Sequence, residues 1–157
     1  MSLIPIVLHL LGGCASGPDV AALQAGVDAA IAAKDYGSAV SQAEAALKLP
    51  EVTAEPARAW RFASARVNAL AAGGKGGEVL ANLEQLSGAY AAQVTASLYL
   101  SLADKVRAAG DGAGCANLLD AGLKKFPEEK AFQAKIEEMK SSVDSAEVER
   151  LKALGYL

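Results

Sequence analysis

Apolar side chains recur along most of this chain with the period of an α-helix. Tyr99, Leu102, Ala103 and Val106 stand at i, i+3, i+4 and i+7, which gathers them into one stripe on a helix face. Gly110-Asp111-Gly112 interrupts that stripe, because glycine accepts the positive φ with which helices often end. Cys115, Leu118, Leu119 and Gly122 then form a second stripe. Pro127 closes it, since proline cannot donate the next helical hydrogen bond. The stretch from 99 to 127 therefore predicts two helices joined by a tight turn.

The same pattern is legible twice upstream. Leu23, Val27, Ala30 and Ile31 line one face of a helix that starts near Asp19 and ends at Lys34-Asp35. Tyr36 begins the turn, and Ala39, Ala43, Ala46 and Leu47 line the second helix before Pro50 closes it. In the middle unit Thr53 is a candidate cap and Pro56 suits a first helical turn; Trp60, Ala63, Val67 and Leu70 form the stripe. Gly73-Gly74-Lys75-Gly76-Gly77 makes its turn. Leu80, Leu83 and Leu86 mark its second helix, which Gly88 ends. Beyond Pro127, Phe132, Ile136, Met139 and Val143 run along a charged helix. Asp144-Ser145-Ala146-Glu147 has the form of a capping box for a last short helix through Val148, Leu151 and Leu154, which Gly155 stops.

The stretch from Tyr99 to Pro127 resembles the tetratricopeptide repeat (TPR), whose period is about 34 residues. Tyr99 takes the aromatic position of the first helix and Ala103 the small position where the two helices approach. Cys115 and Gly122 take small positions of the second helix, and Pro127 is the closing proline. Val106 stands where the family has tyrosine, and Cys115 and Gly122 where it has alanine. The resemblance implies an all-α fold: a right-handed superhelical array of about three such pairs from residue 19, with capping helices from about residue 128.

In that family the first helices line a concave groove that takes an extended peptide or a partner helix. By alignment the groove positions here are Gln24 and Asp28 in the first pair, Arg61, Ser64 and Asn68 in the second, and Leu100, Asp104 and Arg107 in the third. The set mixes both charges and lacks the basic clamp some members use for a C-terminal carboxylate, so no carboxylate-clamp chaperone role is expected.

Leu3 to Leu11 is an apolar run far shorter than the roughly 20 residues that span a bilayer. It suits the apolar region of a signal peptide. Leu11-Gly12-Gly13-Cys14 follows, and resembles the lipobox of bacterial lipoproteins. The resemblance implies that residues 1–13 are removed, that Cys14 is lipidated, and that 14–18 is a tether. It further implies a lipid anchor in the outer membrane facing the periplasm of a Gram-negative cell, because Ala15 rather than aspartate follows the cysteine. Met1-Ser2 lacks the basic residue with which such signals open. The alternative is a buried N-terminal helix in a cytosolic protein, which Pro5, Gly12 and Gly13 disfavour.

Composition narrows the chemistry. The chain has 157 residues, which suits one domain, and it is 52% apolar but only 5% aromatic, which suits closely packed alanine-rich helices. The net charge is −3 with no basic stripe, so nucleic acid is not an expected partner. His9 is the single histidine, and Cys14 and Cys115 are the only cysteines, too few soft ligands for a metal site. Cys115 reads as a small core position rather than a nucleophile. The GGKGG stretch lacks the phosphate-loop spacing. Glu128-Glu129 and Glu137-Glu138 are helix neighbours that point apart, so neither pair makes an acid/base dyad. Trp60, at the head of its stripe, reads as core rather than as a stacking platform.

The expectation is a protein without catalytic residues, cofactor, metal or small-molecule substrate, whose partners are other proteins and, through its lipid, a membrane. The favoured role is a lipid-anchored adaptor or scaffold in an envelope assembly. The alternatives are a permanent structural subunit of a membrane, secretion or pilus complex, or a soluble cytosolic TPR adaptor.

Overall fold

The computed structural model describes residues 19–142 and 144–157. The expectations for the signal peptide, Cys14 and the tether, and the place of Val143 in its stripe, lie outside the described residues. Among the described residues the chain is built from helices and turns, with no strand.

The first pair is α1 (Val20–Ala32) and α2 (Tyr36–Ala46), followed by the single turn α3 (Pro50–Thr53). The second pair is α4 (Pro56–Ala72) and α5 (Gly76–Ala89), and the third is α6 (Ala96–Ala108) and α7 (Gly112–Lys125). Two further helices, α8 (Lys130–Lys140) and α9 (Ser145–Ala153), end the described chain. Packing follows chain order: α1 lies against α2 and α4, α2 against α4, α4 against α5 and α6, and α6 against α7. Both α8 and α9 lie across α7.

The stripes account for the packing. Tyr99, Leu102, Ala103 and Val106 of α6 are all buried, as are Cys115, Leu118, Leu119 and Gly122 of α7. They join Val67, Leu70, Val79, Leu83, Phe132, Ile136, Met139 and Leu151 in the larger core. Each fully buried leucine of this set contributes about 1.5–3 kcal/mol relative to exposure. A smaller core gathers Val27, Ala43, Ala46, Val52, Ala59 and Phe62 from α1 to α4. Alanines let α2 approach α4 closely, since Ala39, Ala43 and Ala46 are fully buried there.

One turn recurs in all three pairs. At the end of α1 the N–H of Lys34 donates to the Ile31 carbonyl at 3.0 Å, and that of Asp35 to Ala30 at 2.9 Å. At the end of α4 Gly74 donates to Ala71 and Lys75 to Leu70, and at the end of α6 Gly110 donates to Arg107 and Asp111 to Val106. These paired bonds satisfy carbonyls that a helix end leaves open, with the middle residue left-handed: φ is 59° at Lys34, 68° at Gly74 and 90° at Gly110. The residue after it is the N-cap of the next helix each time. The same turn closes α9, at Gly155.

Several local expectations are corrected. Pro50 does not close α2 but opens α3, where its missing N–H costs nothing. Thr53 is not the cap of α4; it ends α3 with its hydroxyl directed to the carbonyls of Leu49 and Pro50, and Glu55 stands at the N-cap. Tyr36 is the first residue of α2 rather than part of the turn. Gly76 and Gly77 belong to α5, which also runs through Gly88 to Ala89. Trp60 is half-buried against Tyr90, with ring centroids 5.3 Å apart, while Phe62 fills the core. The capping box at α9 is half made. Asp144 Oδ1 accepts from the Ala146 N–H at 2.8 Å and the Glu147 N–H at 3.4 Å, but the Glu147 carboxylate turns away to Arg107.

Candidate functional site

Every predicted groove residue lies on a first helix of its pair, α1, α4 or α6, and these three helices touch in sequence. Their side chains divide into three groups. Gln24 and Asp28 of α1 and Arg61 of α4 line one hollow of about 450 Å³, together with Ala21, Ala25 and Phe62. Gln24 Nε2 donates to Asp28 Oδ1 at 3.0 Å across one helical turn. Arg61 is exposed and has no side-chain partner among the described residues.

The middle group ties α4 to itself and to α6. Ser64 Oγ donates to the Arg61 carbonyl at 3.0 Å and Asn68 Nδ2 to the Ser64 carbonyl at 2.8 Å. Lys105 Nζ of α6 then donates to Asn68 Oδ1. Leu100 is half-buried against the larger core.

The third group is engaged by the C-terminal helices. Asp104 pairs with Lys135 of α8. Arg107 donates from Nε to Glu147 Oε1 at 2.7 Å, from Nη2 to Oε2 at 3.0 Å, and from Nη1 to Glu138 Oε1 at 2.8 Å. These two carboxylates hold the guanidinium charged even more firmly than usual. Glu147 is only 2% exposed, so the pair is an inter-helix tie as well as a surface feature. The structure therefore brings Gln24, Asp28 and Arg61 together and sets Asp104 and Arg107 against α8 and α9.

A second hollow of about 490 Å³ opens at the other end of α4. Val40, Ala69 and Leu70 form its apolar part, and Lys34, Asp35, Lys75 and Glu78 its polar part. No sequence signal pointed to it, because it forms between the starts of two helices far apart in the chain. The one legible hint is Lys34, at a turn position that elsewhere in the chain is glycine.

The chemistry of the remaining groups is quiet. Cys115 is buried, with its Sγ 3.8 Å from Met139 Sδ. Burial, and then the nearby Glu147 carboxylate, push its thiol up to about 12, so it holds its proton at neutral pH. Among the described residues no cluster of histidine, cysteine or carboxylate side chains is arranged to hold a metal ion. None of the described helices is long and apolar enough to cross a membrane. No protein-family model, curated protein or solved structure matches the chain.

Proposed function

We propose that this chain is a non-catalytic protein-interaction module: a TPR-like array of three helix pairs, lipid-anchored through Cys14, that recruits partners at the α1–α4 face of its first helices. The observation that carries the reading is the α1–α4 hollow, where Arg61 stands beside Asp28 and Gln24 without being tied into the fold. The thrice-repeated turn supports a repeat array, since each pair ends its first helix and starts its second in the same way.

An adaptor is favoured over a permanent subunit. A permanent interface buries a large apolar surface. Among the described residues the only exposed large hydrophobic side chain is Leu157. The α1–α4 hollow mixes Gln24, Asp28 and Arg61 with Ala21, Ala25 and Phe62, and an open surface of mixed polarity suits partners that come and go.

The reading is tested by crosslinked pull-down from the native membrane with mass spectrometry. Arg61→Glu is expected to lose proteins that the parent chain retains; an unchanged set of co-purifying proteins would exclude the α1–α4 face. Cys14→Ser is expected to move the protein out of the membrane fraction, and retention with residues 1–13 uncleaved would rule out the lipid anchor.

A further inference from the structure

The α1–α4 hollow carries one uncommitted charge of each sign. Asp28 is exposed, and its partner among the described residues is the neutral Gln24 amide, at 3.0 Å. Arg61 is exposed and unpaired among the described residues, and the two face one hollow without forming an ion pair with each other. The third charged residue there, Arg58, is tied into the fold: its Nη2 lies 3.0 Å from Glu55 Oε2, and its Nη1 donates to the Glu51 carbonyl at 2.7 Å. The free charge of the hollow therefore sums to zero, which favours neither an acidic nor a basic partner.

Phe62 at the floor is 1% exposed, so the accessible apolar surface of this face comes from α1. Ala21, Ala22, Ala25, Ala29 and Ala32 are exposed along that helix, and Asp28 is its one charge. A helical array in water turns a polar face outward at its ends. The far end does so, with Glu137 and Glu138 exposed on α8 and Glu149 and Lys152 on α9. The α1 end does not. Its alanines let another helix approach closely and have no side-chain rotamers to lose on contact.

We propose that the α1–α4 face seats a second copy of this chain across a two-fold axis. Under that symmetry each Arg61 meets Asp28 of the other copy, so a face with one free charge of each sign is complementary to itself. Head-to-tail stacking is disfavoured, because it would set the alanines of α1 against the charged far end of the array, so the assembly closes at two. The proposal rests on the reading of this face as an interaction surface and names its partner.

The test is sedimentation equilibrium of the full chain at several concentrations and salt strengths, with circular dichroism to check folding. A dimer that weakens as salt is added is expected. Arg61→Glu alone and Asp28→Arg alone are each expected to weaken it about ten- to hundred-fold, since either change sets like charges opposite one another twice. An equimolar mixture of the two variants is expected to restore the dimer as a heterodimer, because every facing pair is then opposite in sign. A monomeric parent would overturn the proposal, as would a dimer that survives either reversal or a mixture that stays monomeric. A monomeric parent whose pull-down still depends on Arg61 would overturn the second copy and leave the face to other proteins. A restored heterodimer beside an unchanged pull-down would support the second copy and exclude those proteins.

Discussion

The Asp111 carboxylate caps two helices at once, accepting the Gly76 N–H of α5 through Oδ2 at 2.9 Å and the Gly114 N–H of its own helix α7 through Oδ1 at 2.8 Å. Lys75, at the N-cap of α5, makes no side-chain cap bond, so α5 takes its cap from the neighbouring pair. The approach this requires is close: a Cβ on Gly76 would stand 2.5 Å from the Gly114 Cα. Asp111→Ala removes one cap bond within α7 and strands the Gly76 N–H. The expected cost is about 2–4 kcal/mol, from a lost cap and an unsatisfied donor together. Urea denaturation measures it. Asp35→Ala, which removes a cap from one helix only, should be milder, and equal losses would mean that the second bond contributes nothing.

Glycine replacements should change sign with location. A Cβ on Gly122 would drive into the Phe132 ring, 2.6 Å from Cζ, in a core with no room to yield. Gly122→Ala is expected to cost about 1–3 kcal/mol by overpacking. A Cβ on Gly88, inside α5, meets nothing within 4 Å. Gly88→Ala is expected to stabilise by about 0.5–1 kcal/mol through helix propensity. Thermal melts of the two variants decide it, and shifts in the same direction would show that α5 or α7 is wrongly placed.

Glu147 is 2% exposed, and Arg107 is its ion-pair partner, so removing Arg107 would take the paired cation from a buried carboxylate. Arg107→Ala is expected to cost about 2–4 kcal/mol, short of the full penalty for a buried pair because the Arg107 side chain is 35% exposed. Arg107→Leu combined with Glu147→Leu should recover most of that loss, since no buried charge remains. A double-mutant cycle read by denaturant midpoint tests the pairing, and additive losses would argue against it.

Tyr156 sets a pH window. Its hydroxyl donates to Asp120 Oδ1 at 2.9 Å. Burial, and then this bond to a carboxylate, raise the phenol from 10.0 to about 12. The folded state thus favours the protonated phenol. Its contribution is complete below pH 10 and fades as the pH climbs toward 12. Tm followed between pH 9 and 12 should fall more steeply in the parent than in Tyr156→Phe. Parallel curves would mean that Tyr156 ionises as freely folded as unfolded.

Much of the fold was legible because helical periodicity is a local property. The α6 stripe matched the buried positions residue for residue, the four α7 stripe residues are buried together with Gly112, Gly114, Ala116 and Asp120 that the stripe left out, and the turns fell where glycine or Lys34-Asp35 interrupted the pattern. The errors came where one helix serves two neighbours. Along α4, Ala59 and Phe62 face the smaller core while Val67 and Leu70 face the larger, so the buried face is wider than a single stripe and Trp60 falls at its edge. The candidate groove was legible as a set of outward positions. Which of them another helix would cover was not, and α8 and α9 engage Asp104 and Arg107.

Apolar spacing, prolines and glycines were enough to make this chain a run of paired helices, because each acts over one or two helical turns. The Glu147–Arg107 tie, the carboxylate shared by α5 and α7, and the hollow beside Lys34 depend on groups 30 or more residues apart meeting within a few ångströms. Such meetings follow from how whole helices pack, and packing sums weak contacts over the entire molecule.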